Sequence, residues 1–562
     1  MPRYLNINGR TVEEYSPDGY SKVRIVDVGY EYNYVVEPVI LNHEETAQLD
    51  EVMDRLSYEV EPRGLLRAEV LEKYLRDWGL SDRVVYTVLS QVIGYSWLEP
   101  LMRDEYLEDI QCFKSDLPLR VTHRSYGLVN TNIVPSGEEV DRMVRLLAYR
   151  GGSSVSVFRA REDSVILPTG DRCALTFRSE ISPTSSFTIR KFPRRPWTPT
   201  KMIRTGMVTP EAMALLWLCV DAKLPIMVFG AMGTGKTSFI NALAMLIRPD
   251  ASITLVQDAP EMRIFHENVL SLYERKSTTA GETGRVTLED LLAHALRRSV
   301  DYVSVNEVRS RREVYAFAQA VALGHGGLSS IHTDSVEGVF ARLKGYGVEE
   351  PLAENIKVVV GTGLFLAERE GKRVRLRRVR GIYFVRRLED YRPVYDVLYE
   401  YDPSRDTLVE KNNSIVDYLA DRLYITPSDL HREWKKRTTF LELSFKAGVF
   451  EGDELFPLLK EFRHDPHGTI EKLKAMTMKA KPVPEEKYLV IASMEEVKYC
   501  PHCGYQLPAR ARSCPKCGFV LIPRIPKGEV EKLLLELEER RGGKVEREEE
   551  GEGEEEGKWV EV

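Results

Sequence analysis

The sequence predicts an α/β protein built around a parallel sheet with helices on its faces. Three observations carry that expectation. From residue 208 to about 345, apolar strand-like runs alternate with helical ones, the pattern of successive βα units. A glycine-rich turn, "GAMGTGKT" at 230–237, lies between a predicted strand and a predicted helix, the setting a phosphate-binding loop requires. Cys500, Cys503, Cys514 and Cys517 stand apart from the other three cysteines and predict a small zinc ribbon beyond the main body.

The 562 residues suffice for about three or four domains. Residues 22–41, rich in Val, Ile and Tyr, predict strands. Between 43 and 97 apolar residues recur every three or four positions, which predicts helices. Together they form an amino-terminal strand and helical segment, 1–100. Residues 101–192 mix short strands with one helix, "SGEEVDRMVRLLAYRG", and predict an α/β domain. Ser136 is placed to cap that helix, with Glu139 three residues on. The three prolines of "FPRRPWTPTK" predict an extended linker or hinge, assigned to 193–205.

The phosphate-loop domain is assigned to 206–400. Its buried strands are "LPIMVFG", "SITLVQD" and "DYVSVNEV", and "KTSFINALAMLI" is the helix after the loop. Residues 372–400 predict strands, paired as a hairpin. A helical region follows at 401–480. After a second linker, "KPVPEEK", come the zinc ribbon at 496–522 and an acidic tail at 541–562, predicted to be disordered.

Charge and hydropathy exclude several classes. The chain carries a net −7, and residues 541–562 hold nine Glu against four Lys and Arg, a net −5. The body therefore carries −2 and lacks the basic footprint of a nucleic-acid binder. The most apolar run, from 212, is interrupted by Asp221, Lys223 and Pro225, so no membrane-spanning helix is expected. "MPRYLNINGRTVEEY" lacks the pattern of a signal peptide, and the expectation is a cytoplasmic chain.

In the loop, Gly230, Gly233 and Gly235 permit tight curvature. The backbone N–H groups of Gly230, Ala231, Met232, Gly233, Thr234, Gly235, Lys236, Thr237 and Ser238 form an anion nest at a helix N-terminus. Lys236 is placed to reach phosphate and Thr237 to ligate Mg²⁺. The rival reading is a chance match in a glycine turn. Glu307 ends the strand "DYVSVNE" at the sheet's ligand-binding edge; it is a candidate for activating water, or a solvated strand end. Further on, "GHGGLSSIHT" carries His325 and His332. Sequence supplies no third and fourth ligand for a metal there, which leaves a packed turn or a phosphate-facing pair. The spacing C-x₂-C-x₁₀-C-x₂-C predicts tetrahedral Zn²⁺, with a redox pair as the rival.

The loop, "ITLVQDAPEM", "DYVSVNEVRS" and "GHGGLSSIHT", in this order and spacing, resemble the Walker A, aspartate box, Walker B and histidine box of the secretion and type IV pilus assembly ATPases. "LEPLMRDEYLEDIQC", "VTHRSYG", "ILPTGDRCALTF" and "SSFTIRKF" resemble that family's archaeal branch, which includes archaellum and archaeal pilus motors. The resemblance covers roughly residues 20 to 478. It implies a RecA-like motor domain behind an α/β amino-terminal domain, with ATP and Mg²⁺ bound between them. It implies a homo-hexamer, cytoplasmic and peripheral at the inner face of the membrane. Such a motor pushes on a polytopic platform protein and acts indirectly on pilin-like subunits.

Carried over by position, Lys236 and Thr237 hold phosphate and Mg²⁺, Glu307 activates water, and Asp258 and Glu261 lie near the metal. His325 and His332 line the nucleotide pocket. Arg190 contacts phosphate from the amino-terminal domain, and Arg172 and Arg309 are further arginine candidates. Two positions depart from the family pattern: Gln257 replaces a usual Glu, and Asn306 a usual Gly. They predict slow but measurable hydrolysis. They also keep open a nucleotide-binding regulatory paralogue with weak hydrolysis; a nucleic-acid translocase on the same fold is the other alternative, although no stable nucleic-acid binding is expected. The zinc ribbon is not part of the family pattern and is read as a docking module for an unidentified partner. His123 is expected to pack structurally, and Trp97 and Trp217 to sit in cores. "KRVRLRRVR" (372–380) is read as an amphipathic strand with a solvated basic face, or as a surface facing acidic membrane or a partner's acidic loop.

Overall fold

The order of strands in the larger sheet sets where the phosphate loop sits. In a computed structural model, which describes residues 2–29, 31–59, 67–258, 260–275, 286–369, 372–480 and 489–493, that order is Val269–Tyr273, Ile253–Gln257, Tyr302–Val305, Gly326–Ile331, Ile226–Phe229, Val358–Arg369, Lys372–Glu389, Arg392–Asp402 and Thr407–Glu410. The first six run parallel and the last three antiparallel. The strand before the phosphate loop is central, and its four residues are all buried. Hydrophobic runs with both faces covered are what a parallel sheet demands. The expected zinc ribbon and acidic tail lie outside the described residues.

"GHGGLSSIHT" contributes a strand that its composition conceals. Gly326–Ile331 lies between Tyr302–Val305 and the phosphate-loop strand. A Cβ on Gly326 would come within 2.3 Å of the Tyr302 ring, and one on Gly327 within 2.7 Å of Val321. The two glycines are there because the neighbouring side chains fill their space.

The second sheet has the order Arg10–Tyr15, Lys22–Asp27, Tyr32–Glu37, Gly127–Thr131, Arg120–His123, Leu107–Cys112, Ser186–Arg190, Arg172–Thr176 and Arg161–Ile166. Helix Gly137–Arg150 buries Val140, Met143, Val144, Leu147 and Ala148, one stripe at helical spacing. Ser136 and Glu139 form the expected capping box. His123 is buried and accepts the Ser125 and Tyr126 N–H groups through Nδ1. Burial and the neighbouring Arg124 push its pKa down to about 3, so it is a neutral packing residue, as is buried Trp97.

The most apolar run of the sequence is helix Pro210–Asp221, buried along nine consecutive residues from Ala212 to Val220. A helix apolar all round must be enclosed. Helices Pro427–Lys446 and Gly452–His464 share one core with it and with the phosphate-loop helix Lys236–Met245. Trp217 is fully buried there against Phe440 and Phe462. Among the described residues no helix is long and apolar enough to cross a membrane.

Candidate functional site

The phosphate loop takes its shape from positive φ at Gly230, Gly233 and Gly235. A Cβ on Gly230 would stand 2.5 Å from the Thr362 carbonyl oxygen, so only glycine lets the loop rest on the adjoining strand. Buried Thr362 braces the loop from below. Its hydroxyl donates to the Phe229 carbonyl at 3.0 Å and lies 2.8 Å from the Thr234 hydroxyl. Helix Lys236–Met245 starts at the end of the loop, so its unpaired first N–H groups and dipole face the same space.

Lys236 Nζ donates to the Gly230 and Ala231 carbonyls, each at 3.0 Å, and to His332 Nδ1 at 3.2 Å. The other ring nitrogen of His332, Nε2, is 2.7 Å from Glu307 Oε1. With Nδ1 accepting from the ammonium, the Nε2–H tautomer satisfies both contacts. Ammonium, imidazole and carboxylate thus stand in one line. Glu307 Oε2 accepts from Arg309 Nε at 2.8 Å and Nη2 at 2.5 Å. Burial alone raises the Glu307 pKa, but the His332 bond and the Arg309 charge outweigh it and hold the pKa at about 2.

A second line runs beside the first. The Thr237 hydroxyl donates to Asn306 Oδ1 at 3.2 Å, and Asn306 Nδ2 donates to Glu261 Oε2 at 2.7 Å. Hydroxyl and carboxylate oxygens held this way are the donor set of a hard divalent cation, so Thr237 and Glu261 fit Mg²⁺. Asp258 accepts from Arg309 Nη1 at 3.2 Å and from Arg172 Nη1 at 3.4 Å. Arg172 and Arg190 are register partners on adjacent strands of the amino-terminal sheet. Arg190 donates to Asp109 at 3.2 Å, and its Nη2 is 3.8 Å from Met232 Sδ in the loop.

Comparison with known proteins identifies the family of the chain. The model of the type II/IV secretion system protein family matches residues 110–367. An uncharacterised protein of Methanocaldococcus jannaschii is 33% identical over 384 residues, covering 66% of this chain and 68% of that protein. The chain belongs to the type II/IV secretion system protein family. A second uncharacterised protein of the same archaeon is 37% identical over 43% of this chain and 90% of its own length. The type IV secretion system protein PtlH of Bordetella pertussis is 32% identical over 32% of this chain and 58% of that protein. Among solved structures, the VirB11 ATPase of the Brucella suis type IV secretion system is 23% identical over 51% of this chain and 96% of that chain, with a TM-score of 0.25. A zinc-ribbon domain model matches residues 499–521, over the four cysteines.

In this secretion-family chain three sequence expectations change. His325 does not join His332. It precedes the strand that His332 follows, and its Nδ1 donates to the Val300 carbonyl at 2.7 Å. Six residues of strand separate the two by about 20 Å, so His325 sits at the opposite edge of the sheet from the phosphate loop. Gln257 does not face the site either. It is fully buried, accepts the Met262 N–H at 2.6 Å and donates to the Met262 carbonyl at 3.3 Å. It braces the turn that carries Asp258 and Glu261, and a carboxylate there has no hydrogen for the second bond.

The basic run is the third change, because three of its arginines, Arg377, Arg378 and Arg380, are engaged by the chain's own groups. Arg378 is 3% exposed, pairs with both Asp406 oxygens at 2.6 and 2.7 Å, and donates to Thr205 O. Arg380 donates to Asp334 O at 3.2 Å. Arg377 donates to the Gly233 carbonyl of the loop at 2.8 Å and grips Glu108. Thr362, Arg377 and Glu108 are site residues that sequence reasoning missed. Only the density of arginines in 372–380 hinted at any of them.

Proposed function

We propose that this secretion-family chain is a Mg²⁺-dependent ATPase, acting as a homo-hexamer at the cytoplasmic face of a membrane. It powers type II/IV secretion or the assembly of a type IV pilus-like filament through a polytopic platform protein. One observation carries the reading: the Lys236–His332–Glu307 line lies beside the Thr237–Asn306–Glu261 line. The first supplies a phosphate-binding cation and a carboxylate kept ionised for water. The second supplies oxygens for the metal.

The loop N–H groups hold the phosphates, and Lys236 exchanges its loop carbonyls for phosphate oxygens. Thr237 and Glu261 would hold Mg²⁺. When bound, Mg²⁺ offsets charge on the phosphate oxygens. Glu307 orients the attacking water and takes its proton, while His332 passes the state of Lys236 to that carboxylate. Arg172, Arg190 and Arg309 stabilise charge on the transferred phosphoryl group. Cys500, Cys503, Cys514 and Cys517 hold a structural Zn²⁺. The position of Gln257, turned to the Met262 backbone, supports hydrolysis over a purely regulatory role.

The test is phosphate release by the purified full chain, in Mg²⁺ or in EDTA, with and without the cytoplasmic region of the platform protein. Mg²⁺-dependent turnover, raised by the platform region, is expected. No turnover under either condition contradicts the proposal.

A further inference from the structure

Two consecutive acidic residues of one amino-terminal-domain strand, Leu107–Cys112, each hold an arginine that reaches the phosphate loop. Asp109 holds Arg190, which touches Met232. Glu108 holds Arg377, which belongs to the motor sheet: Nη2 lies 2.7 and 2.9 Å from the two carboxylate oxygens. The same guanidinium sends Nε to the Gly233 carbonyl at 2.8 Å. Its stem lies against the loop as well, since a Cβ on Gly235 would stand 3.4 Å from Arg377 Cδ. The Arg377 side chain is 20% exposed.

A guanidinium is a rigid planar fork, so fixing one edge on Glu108 fixes where its other N–H points. The peptide unit is planar and trans, so a Gly233 carbonyl drawn toward Arg377 sends the next N–H, that of Thr234, the opposite way. That N–H belongs to the nest. The orientation of one phosphate-binding donor is thereby tied to a carboxylate of the other domain. Among the described residues Arg124 also faces Glu108, at 3.9 Å.

We propose that Arg377 is a positioning residue through which docking of the amino-terminal domain, by Glu108, sets the shape of the phosphate loop and so its affinity for nucleotide. The inference rests on the reading of residues 230–237 as a nucleotide site. By reciprocity, nucleotide strengthens docking by the same factor that docking strengthens nucleotide binding.

The experiment measures Mg²⁺–ADP binding by the full chain, using calorimetry, for wild type, Glu108→Gln, Arg377→Gln and the double variant. Each single change is expected to weaken binding roughly tenfold, with the double no weaker than Arg377→Gln alone. The exchange Glu108→Arg with Arg377→Glu separates coupling from a plain ion pair. It restores opposite charges, and with them the docked shape in solution scattering. A carboxylate has nothing to donate to Gly233, so nucleotide affinity stays reduced. Arg377→Lys, the mildest change, guards against a misfolded variant and is expected to lie between wild type and Arg377→Gln. Wild-type affinity in both single variants, losses that multiply in the double, or affinity restored by the exchange overturns the coupling. A wild-type chain that binds no Mg²⁺–ADP removes the nucleotide reading itself, and the coupling with it.

Discussion

Two carboxylates in this protein are each held by two nitrogen-bearing side chains, yet their surroundings assign them opposite work. Asp221 ends helix Pro210–Asp221. It lies 2.7 Å from Arg437 and 2.8 Å from Arg463, and both guanidinium groups stack on Trp217 at 4.9 and 5.5 Å. Those arginines come from helices Pro427–Lys446 and Gly452–His464, so the cluster fastens both to helix Pro210–Asp221. Glu307 is held by Arg309 and His332, and His332 is 37% exposed and bonded to Lys236. Asp221 is 8% exposed and Glu307 9%; burial of the carboxylate does not distinguish them. What differs is whether the partners are closed off by aromatic rings or shared with groups poised to bind phosphate.

Removing each carboxylate separately distinguishes the two clusters. Asp221→Ala leaves two arginines against Trp217 without a counter-charge, and breaking such a buried pair costs about 3–5 kcal/mol. Chemical denaturation is expected to show that loss, while nucleotide affinity per folded molecule stays unchanged. A large change in affinity with little loss of stability reverses the assignment.

His332→Ala acts on the other cluster. Turnover is expected to fall about 10- to 100-fold, the usual cost of losing a residue that orients a reacting group. Nucleotide binding and melting temperature remain close to wild type. Turnover unchanged within error returns this histidine to packing.

Gln257→Glu tests a buried side chain near the site that does no chemistry. It loses the hydrogen donated to Met262 O, and a buried unsatisfied acceptor costs about 1–3 kcal/mol. Thermal melting is expected to fall and turnover not to rise. Faster hydrolysis would place this side chain at the attacking water instead.

A further effect is on acid stability. Glu307 has its pKa lowered from 4.5 to about 2, so its contribution is fully present above pH 4.5. It is lost as pH falls from there toward 2. Wild type and Glu307→Gln are expected to converge in stability across that window. A constant difference between them from pH 6 to pH 2 contradicts the ion-pair account.

The sequence made the loop legible because its constraint is local. Glycines at fixed spacing, followed by Lys236 and Thr237 at a helix start, need no distant partner. The same holds for the Ser136–Glu139 cap. Strand Gly326–Ile331 was hidden because its glycines answer to Tyr302, Val321 and Phe317 rather than to strand propensity. Thr362 and Arg377 were hidden because their partners, Phe229 and Glu108, lie 133 and 269 residues away. The two histidines of "GHGGLSSIHT" look equivalent until the strand between them is known. Once it is drawn, one faces the loop and the other the far edge.

In the proposed function Glu307 acts on water while its neighbours bind nucleotide. The most direct measurement compares single-turnover ATP hydrolysis with ATP affinity in wild type and Glu307→Gln. Hydrolysis is expected to fall about 10²- to 10⁴-fold with affinity retained. Equal hydrolysis rates in the two proteins, or affinity lost along with hydrolysis, would contradict it.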